Sequence, residues 1–310
     1  MKTQIQTLLV CTALFGAATL AQAQFNYTDN GDGTCTITGY TGPDGTVIIP
    51  GIINGLTNVN IGDSAFFGRT TITNVTIPDS VTNIGRSSFF NCTHLTGLTI
   101  GSSVSNIGVS AFYGCIQLPG VVIPGSVTNI GDNAFSYCYR MTNVVIGNSV
   151  INIGGVAFSH CTNLTCVTIP DSVISIGAQA FFLCTSLTNA IIGSGVTNVG
   201  SLFWSCSKLT SVTIPNSVTS IGGNAFYYCT SLPGITIPDS VTSIGDNAFF
   251  NCTNLTSVAL GNGVTSIGNS VFAWCSRLSG VIIPDSVTNI GDTAFAPCSN
   301  LTAITVGAGN

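Results

Sequence analysis

Two histidines, thirteen cysteines and eleven carboxylates, every one an Asp, are the groups of this 310-residue chain that could do chemistry. General acid–base catalysis wants a positioned His or a carboxylate of shifted pKa. His94 and His160 fall in different columns of the repeat described below and read as surface variants of repeat positions. The Asp residues fall mainly in two turn columns. Asp79, Asp171, Asp239 and Asp285 follow Pro, where Asx side chains bond to the local backbone. Asp63, Asp132, Asp246 and Asp292 follow an Ile-Gly pair. Asp285 with Asp292 could serve as a glycosidase pair, but Asn, Ser or Gly replaces Asp at these positions in other units, as turns allow. Asp29 to Gly33 superficially resembles a calcium loop. Aligned on Gly33, its first and twelfth positions are Thr28 and Gly39, so the ligand set fails. No C-x-x-C occurs, and Cys161 with Cys166 has only His160 beside it, which does not make a zinc site. No catalytic, cofactor-binding or metal-binding residue is therefore assigned, and the chain reads as a non-enzyme without a cofactor.

Composition narrows the partners. Charged residues are 5% of the chain, against about 25% in an ordinary soluble domain. Six cations, one of them Lys2, cannot supply the counterion release that nucleic-acid binding needs. A polybasic membrane contact is excluded likewise. No apolar run reaches the roughly 20 residues of a spanning helix, while 45% apolar content argues against disorder. Residues 1–23 read as a secretory leader: Lys2, an apolar stretch from Leu8 to Leu20, then Ala21-Gln22-Ala23 as cleavage site. Cleavage near Ala23 would start the mature chain at Gln24 and deliver it outside the cytoplasm, as an extracellular, cell-surface or periplasmic protein in an oxidising compartment.

The elements that would position any site come from one unit written eleven times. The Ile-Gly pair recurs from Ile61-Gly62 to Ile290-Gly291 every 23 residues, with Val199-Gly200 as one variant. One step, from 199 to 221, is a residue short near Ser201-Leu202. Such a period with L-x-x-L-x-L wording, as in Leu95-Thr-Gly-Leu98-Thr-Ile100, marks a leucine-rich-repeat solenoid. Alternation points Leu, Val and Ile inward from a short strand, and stacked strands would pair into one long parallel sheet. Pro or Gly ends each strand, mostly in alternation, as in Pro78, Gly101 and Pro124. The Ile-Gly glycine either takes positive φ or permits close backbone approach. A Phe in every unit, from Phe66 to Phe295, forms a stacked spine. A Cys follows three residues later in ten units, from Cys92 to Cys298, and one Cys per coil suits buried free thiols, although coils about 4.8 Å apart also lie within disulfide reach, so side-chain direction decides.

This wording, L-T-x-V-T-I-P-D-S-V-T-x-I-G-x-x-A-F-x-x-C-T-x, resembles the BspA-like leucine-rich repeats of bacterial secreted and surface proteins. The resemblance covers Leu56 to the end. It implies a β-rich, right-handed leucine-rich-repeat solenoid and a binding or adhesion role. Residues 56–310 are the repeats, and 24–55 read as an N-terminal cap: a hairpin around Asp29-Asn-Gly-Asp-Gly33 and a degenerate first coil.

Two surfaces could hold a partner, taken to be an extracellular protein or a glycan. The outward sheet positions are small and neutral. The second surface is an edge, where aromatics sit between the Phe and Cys columns and His94, Arg140, Lys208 and Arg277 share one column. Hot spots favour Trp, Tyr and Arg, so Trp204, Lys208, Tyr227, Tyr228, Trp274 and Arg277 are the candidate binding residues. The alternatives are a structural solenoid whose Thr column, including Thr73, Thr96, Thr142 and Thr165, orders water as an ice-binding face, and a carbohydrate-active enzyme.

Overall fold

The computed structural model describes residues 23–307, so residues 1–22 of the leader lie outside the described residues. These form a β-solenoid of about twelve turns with parallel sheets and no helix among them. A hairpin opens it. Strand Phe25–Asp29 runs antiparallel to Thr34–Tyr40. Its turn is closed by the Gly31 amide donating to Asp29 Oδ1 at 2.8 Å and by positive φ at Gly31 and Gly33. Strand Thr34–Tyr40 then pairs in parallel with Leu56–Ile61, which covers the first coil's edge.

Each coil contributes two extended pieces. The front strand, such as Asn143–Val145, comes from the L-x-x-L-x-L wording, and the side strand, such as Asn152–Ile153, ends at the Ile-Gly pair. The structure therefore has two stacked ladders where periodicity led us to expect one long sheet. The side strands give the longer sheet, nine strands from the hairpin to Ser175–Ile176, and a second of five from Asn198–Val199 to Asn289–Ile290. The front strands divide into sheets of three, two, three, two and two. Two of these breaks have a local cause. In most coils the residue before the strand donates its amide to the preceding coil, as Thr165 does to Thr142 O at 3.3 Å. Pro119 and Pro233 occupy that position and have no N–H to give.

Between the ladders lies one core. The spine phenylalanines stack with centroids 4.7 Å apart at Phe66–Phe89 and 5.5 Å at Phe158–Phe181, close to the strand spacing of about 4.8 Å. Their rings are nearly parallel, so each ring face is covered by the next. The Ile-Gly glycines answer to close approach and not to positive φ. A Cβ on Gly108 would lie 2.7 Å from Gly85 C and 2.8 Å from Arg86 N. The left-handed residue comes two positions later, as at Ser110 and Asn133.

Candidate functional site

The turn from the spine Phe to the Cys carries most of the chain's unusual side chains. Its inner part is inert. Each ladder thiol donates to the carbonyl of the spine Phe in the preceding coil, as Cys115 does to Phe89 O at 3.4 Å and Cys229 to Phe203 O at 3.2 Å. These cysteines are free, and all but the half-buried Cys298 are buried. Burial pushes the thiols of Cys92, Cys161 and Cys275 up to about 12. A nucleophile or metal ligand needs the thiolate, which such burial suppresses. Cys161 and Cys166 do not converge: Cys161 is buried, whereas Cys166 is exposed on the front face.

The Asp columns stitch coils together. Their oxygens accept from the next coil, 23 residues on, and not from the local turn that spacing suggested. The Arg86 amide donates to Asp63 Oδ1 at 2.7 Å, Asn262 to Asp239 at 2.7 Å and Asn269 to Asp246 at 2.7 Å. The Ser102 amide, and then its hydroxyl, hold Asp79 below the ordinary carboxylate range, and Ser194 does the same to Asp171. A general acid requires the opposite shift. Among the described residues no group of three or more His, Cys, Asp or Glu could hold a metal ion. The Thr column is occupied in the same way, with Thr96 Oγ1 donating to Thr73 O at 3.1 Å and Thr188 Oγ1 to Thr165 O at 3.0 Å. Hydroxyls committed to carbonyls are poor templates for ordered water.

The outer part of the turn is a second aromatic ladder. Phe67 stacks on Phe90 at 4.9 Å, and Phe90 on Tyr113 at 4.7 Å. The ladder continues through Tyr137, His160, Phe182, Trp204 and Tyr227 to Phe250, with His160 only 4.2 Å from Tyr137. His160 is thus a half-buried member of the stack, where the repeat pattern suggested a surface variant. Burial lowers its pKa.

Two sequence columns feed this ladder. Usually the residue after the spine Phe supplies the ring. In three coils that residue is the small, buried Ser136, Ser159 or Ala273, and the next residue, Tyr137, His160 or Trp274, is aromatic instead, although only Tyr137 and His160 join the stack. That second position is left-handed. Gly68, Gly114, Asn91 and Asn251 fill it in other coils, as expected of φ near +60°, yet Tyr137, His160, Tyr228 and Trp274 adopt φ of 61°, 59°, 59° and 64° there. Gly and Asn in the column were the signal by which these special positions could have been found.

The structure brings three of the candidate residues into one cluster. Trp204 lies 5.3 Å from Tyr227, and Tyr227 lies 4.7 Å from Tyr228. Trp274 stands apart, two coils beyond Tyr228, and is 54% exposed against 41% for Tyr228. Lys208 and Arg277 are exposed, and neither they nor Arg140 has an ion pair among the described residues. Arg69, by contrast, binds Asp44 at 3.3 Å. The half-buried Tyr137 and His160, with the exposed Tyr139 and Arg140, form a further cluster outside the candidate set.

The BspA type leucine rich repeat profile, in six copies, matches residues 59–188, 128–237 and 200–310. The chain therefore belongs to the BspA type leucine-rich-repeat family. It is similar to a leucine-rich repeat protein from Bacteroides ovatus, with 27% identity over 92% of this chain and 88% of the other, at a TM-score of 0.62. A leucine rich cell surface protein from Faecalibacterium prausnitzii is 28% identical over 92% of this chain and 93% of its own, at a TM-score of 0.51. The pneumococcal vaccine antigen PcpA shares the fold at 21% identity and a TM-score of 0.64, covering 92% of this chain and 80% of its own. No curated protein matches the sequence. Among the described residues no helix is long and apolar enough to cross a membrane.

Proposed function

We propose that this chain is a secreted or surface-displayed binding module, without catalysis, whose extracellular protein or glycan partner docks on the aromatic edge around Trp204, Lys208, Tyr227, Tyr228, Trp274 and Arg277. The leader read in residues 1–23 supports export, and the Faecalibacterium relative is a cell surface protein. One observation carries the choice of edge. Tyr228 and Trp274 keep large, exposed rings at a left-handed position that four other coils give to Gly or Asn and one each to Ser205 and the half-buried Leu183. Holding a bulky residue there costs about 1–2 kcal/mol, and at Trp274, which has no ring neighbour among the described residues, the coil gains little packing in return. The front strands offer a partner no aromatic ring, their exposed large side chains being aliphatic, such as Val122, Val145, Ile191 and Ile282. The concavity of about 450 Å³ on that face is lined by residues such as Ser211, Gly234 and Ser257, which bury little apolar area.

The test is an array of glycans and extracellular proteins, followed by Trp274→Ala and Tyr228→Ala against whatever binds. Each should weaken binding by about 1–2 kcal/mol, as hot-spot rings do, while the melting temperature holds. Lost stability at unchanged affinity would make these rings padding for the core.

A further inference from the structure

The chain is acidic overall, but its charges are sorted around the coil. From the spine Phe through the end of the front strand, no carboxylate occurs in any of the eleven coils. That half carries Arg140, Lys208 and Arg277, all exposed and without ion pairs, together with the exposed His94. The eight Asp residues of the coils all lie in the other half, after the front strand or after the Ile-Gly pair, where most accept from the next coil's backbone amides. The net charge of −5 thus hides a positive strip running along the stack.

The strip has two further properties. Each cation comes with a ring in its own turn: Tyr139 beside Arg140, Trp204 before Lys208 and Trp274 before Arg277. Neutral hydrogen-bonding side chains flank it in the adjoining coils, Gln117 and Asn163 around Arg140, which together line an open concavity of about 510 Å³. From Arg140 to Lys208 and from Lys208 to Arg277 are three coils each, or about 14 Å at the strand spacing.

On the reading that this edge is the binding surface, we infer that its partner is a linear polysaccharide bearing carboxylate or sulfate groups, laid along the solenoid axis. Sugar rings offer C–H faces to Tyr and Trp, their hydroxyls pair with Gln, Asn and Ser, and their acid groups meet the cations. An acidic polymer charged at every unit finds a partner at each three-coil interval whatever its register. Three cations spread so widely would be a sparse match for a nucleic acid, whose duplex carries a charge about every 1.7 Å.

The experiment measures affinity of the full chain for polygalacturonate, for its fully methyl-esterified form, which keeps the backbone and removes the charge, and for dextran sulfate beside dextran. Binding to an acidic polymer should fall about tenfold or more on esterification, on removal of sulfate, and between low and 0.5 M salt, where screening shortens to a few ångströms. Which acidic polymer binds tells carboxylate from sulfate. Arg140→Gln, Lys208→Gln and Arg277→Gln should each weaken it about threefold, as exposed charge pairs do, with the melting temperature unchanged. Equal binding of charged and neutral forms, lost in Trp274→Ala, would overturn the polyanion while leaving the aromatic edge standing. No glycan binding, with a Trp274-dependent protein ligand on the array, would do the same. No ligand sensitive to Trp274 at all would remove both.

Discussion

Two aromatic ladders run along this solenoid, one or two residues apart in sequence and opposite in character. The inner one is Phe in every coil, with rings nearly parallel and, from Phe66 to Phe272, no exposed surface. The outer one mixes Phe, Tyr, His and Trp, tilts its rings by up to 84° at His160–Phe182, and reaches solvent at Phe67, with Tyr228 exposed beside the ladder and Trp274 exposed beyond its end. An inner ring has the coils before and after it as its whole environment, so any change leaves a hole on both faces. An outer ring has a coil on one side and water or a partner on the other, and its identity is free to follow the partner.

The largest effect that would sharpen this contrast is alkaline. Burial raises the ladder thiols, so the folded state keeps protons that the unfolded chain releases. Stability from this source is full below the ordinary thiol value of 9.0 and is lost as pH rises toward the folded values of about 12. Each thiol contributes a slope of about 1.4 kcal/mol per pH unit in that window, and Cys92, Cys161 and Cys275 alone about 4. Melting followed by circular dichroism at pH 8, 9.5 and 10.5 should show a steep fall, and a flat profile would mean that the inner column is open to solvent. Next comes the spine itself. Phe158→Ala, in mid-array, should cost about 3–5 kcal/mol, visible as a shifted denaturant midpoint, and a loss under 1 kcal/mol would erase the distinction between the ladders. The smallest effect has the opposite sign. Tyr228→Gly and Trp274→Gly relieve the left-handed backbone, so stability should stay level or rise by about 1 kcal/mol even as ligand is lost. A clear fall in melting temperature would place those rings in the core.

The coil, its core columns and the hairpin at Asp29 to Gly33 were legible because each is a matter of period or turn chemistry. The columns also showed that Asp and Thr recur, but not what they do. Asp63 and Thr96 bond across 23 residues of chain, and a periodicity says which residues stack without saying which atoms meet. Periodicity led to one long sheet built from the L-x-x-L-x-L strands, yet the short side strands carry the longer one. For the edge, the sequence pointed to Trp204, Tyr227, Tyr228 and Trp274, of which the structure gathers the first three, but ran Tyr137, Tyr228 and Trp274 together with the ordinary outer residues. Their left-handed backbone belongs to a different column, and a lone Tyr or Trp among Gly and Asn looks like noise until the turn is seen.

The missing residue near Ser201 has a mechanical meaning. At Gly200 the side ladder does not close: a Cβ there would touch nothing within 4 Å, and the hydrogen bond that the Gly177 amide donates to Ile153 O and the Gly222 amide to Val199 O has no counterpart at Gly200. The front ladder nonetheless runs through the same level, from Cys166–Thr168 by way of Asn189–Ile191 to Ser211–Thr213. The spine takes its widest step there, 5.8 Å between Phe181 and Phe203. A stack bonded along one wall and open along the other is a joint that bends one way. Here the two side-ladder sheets part company, and Trp204 sits at their gap, so a ligand gripping rings on both sides would tie the two sheets together.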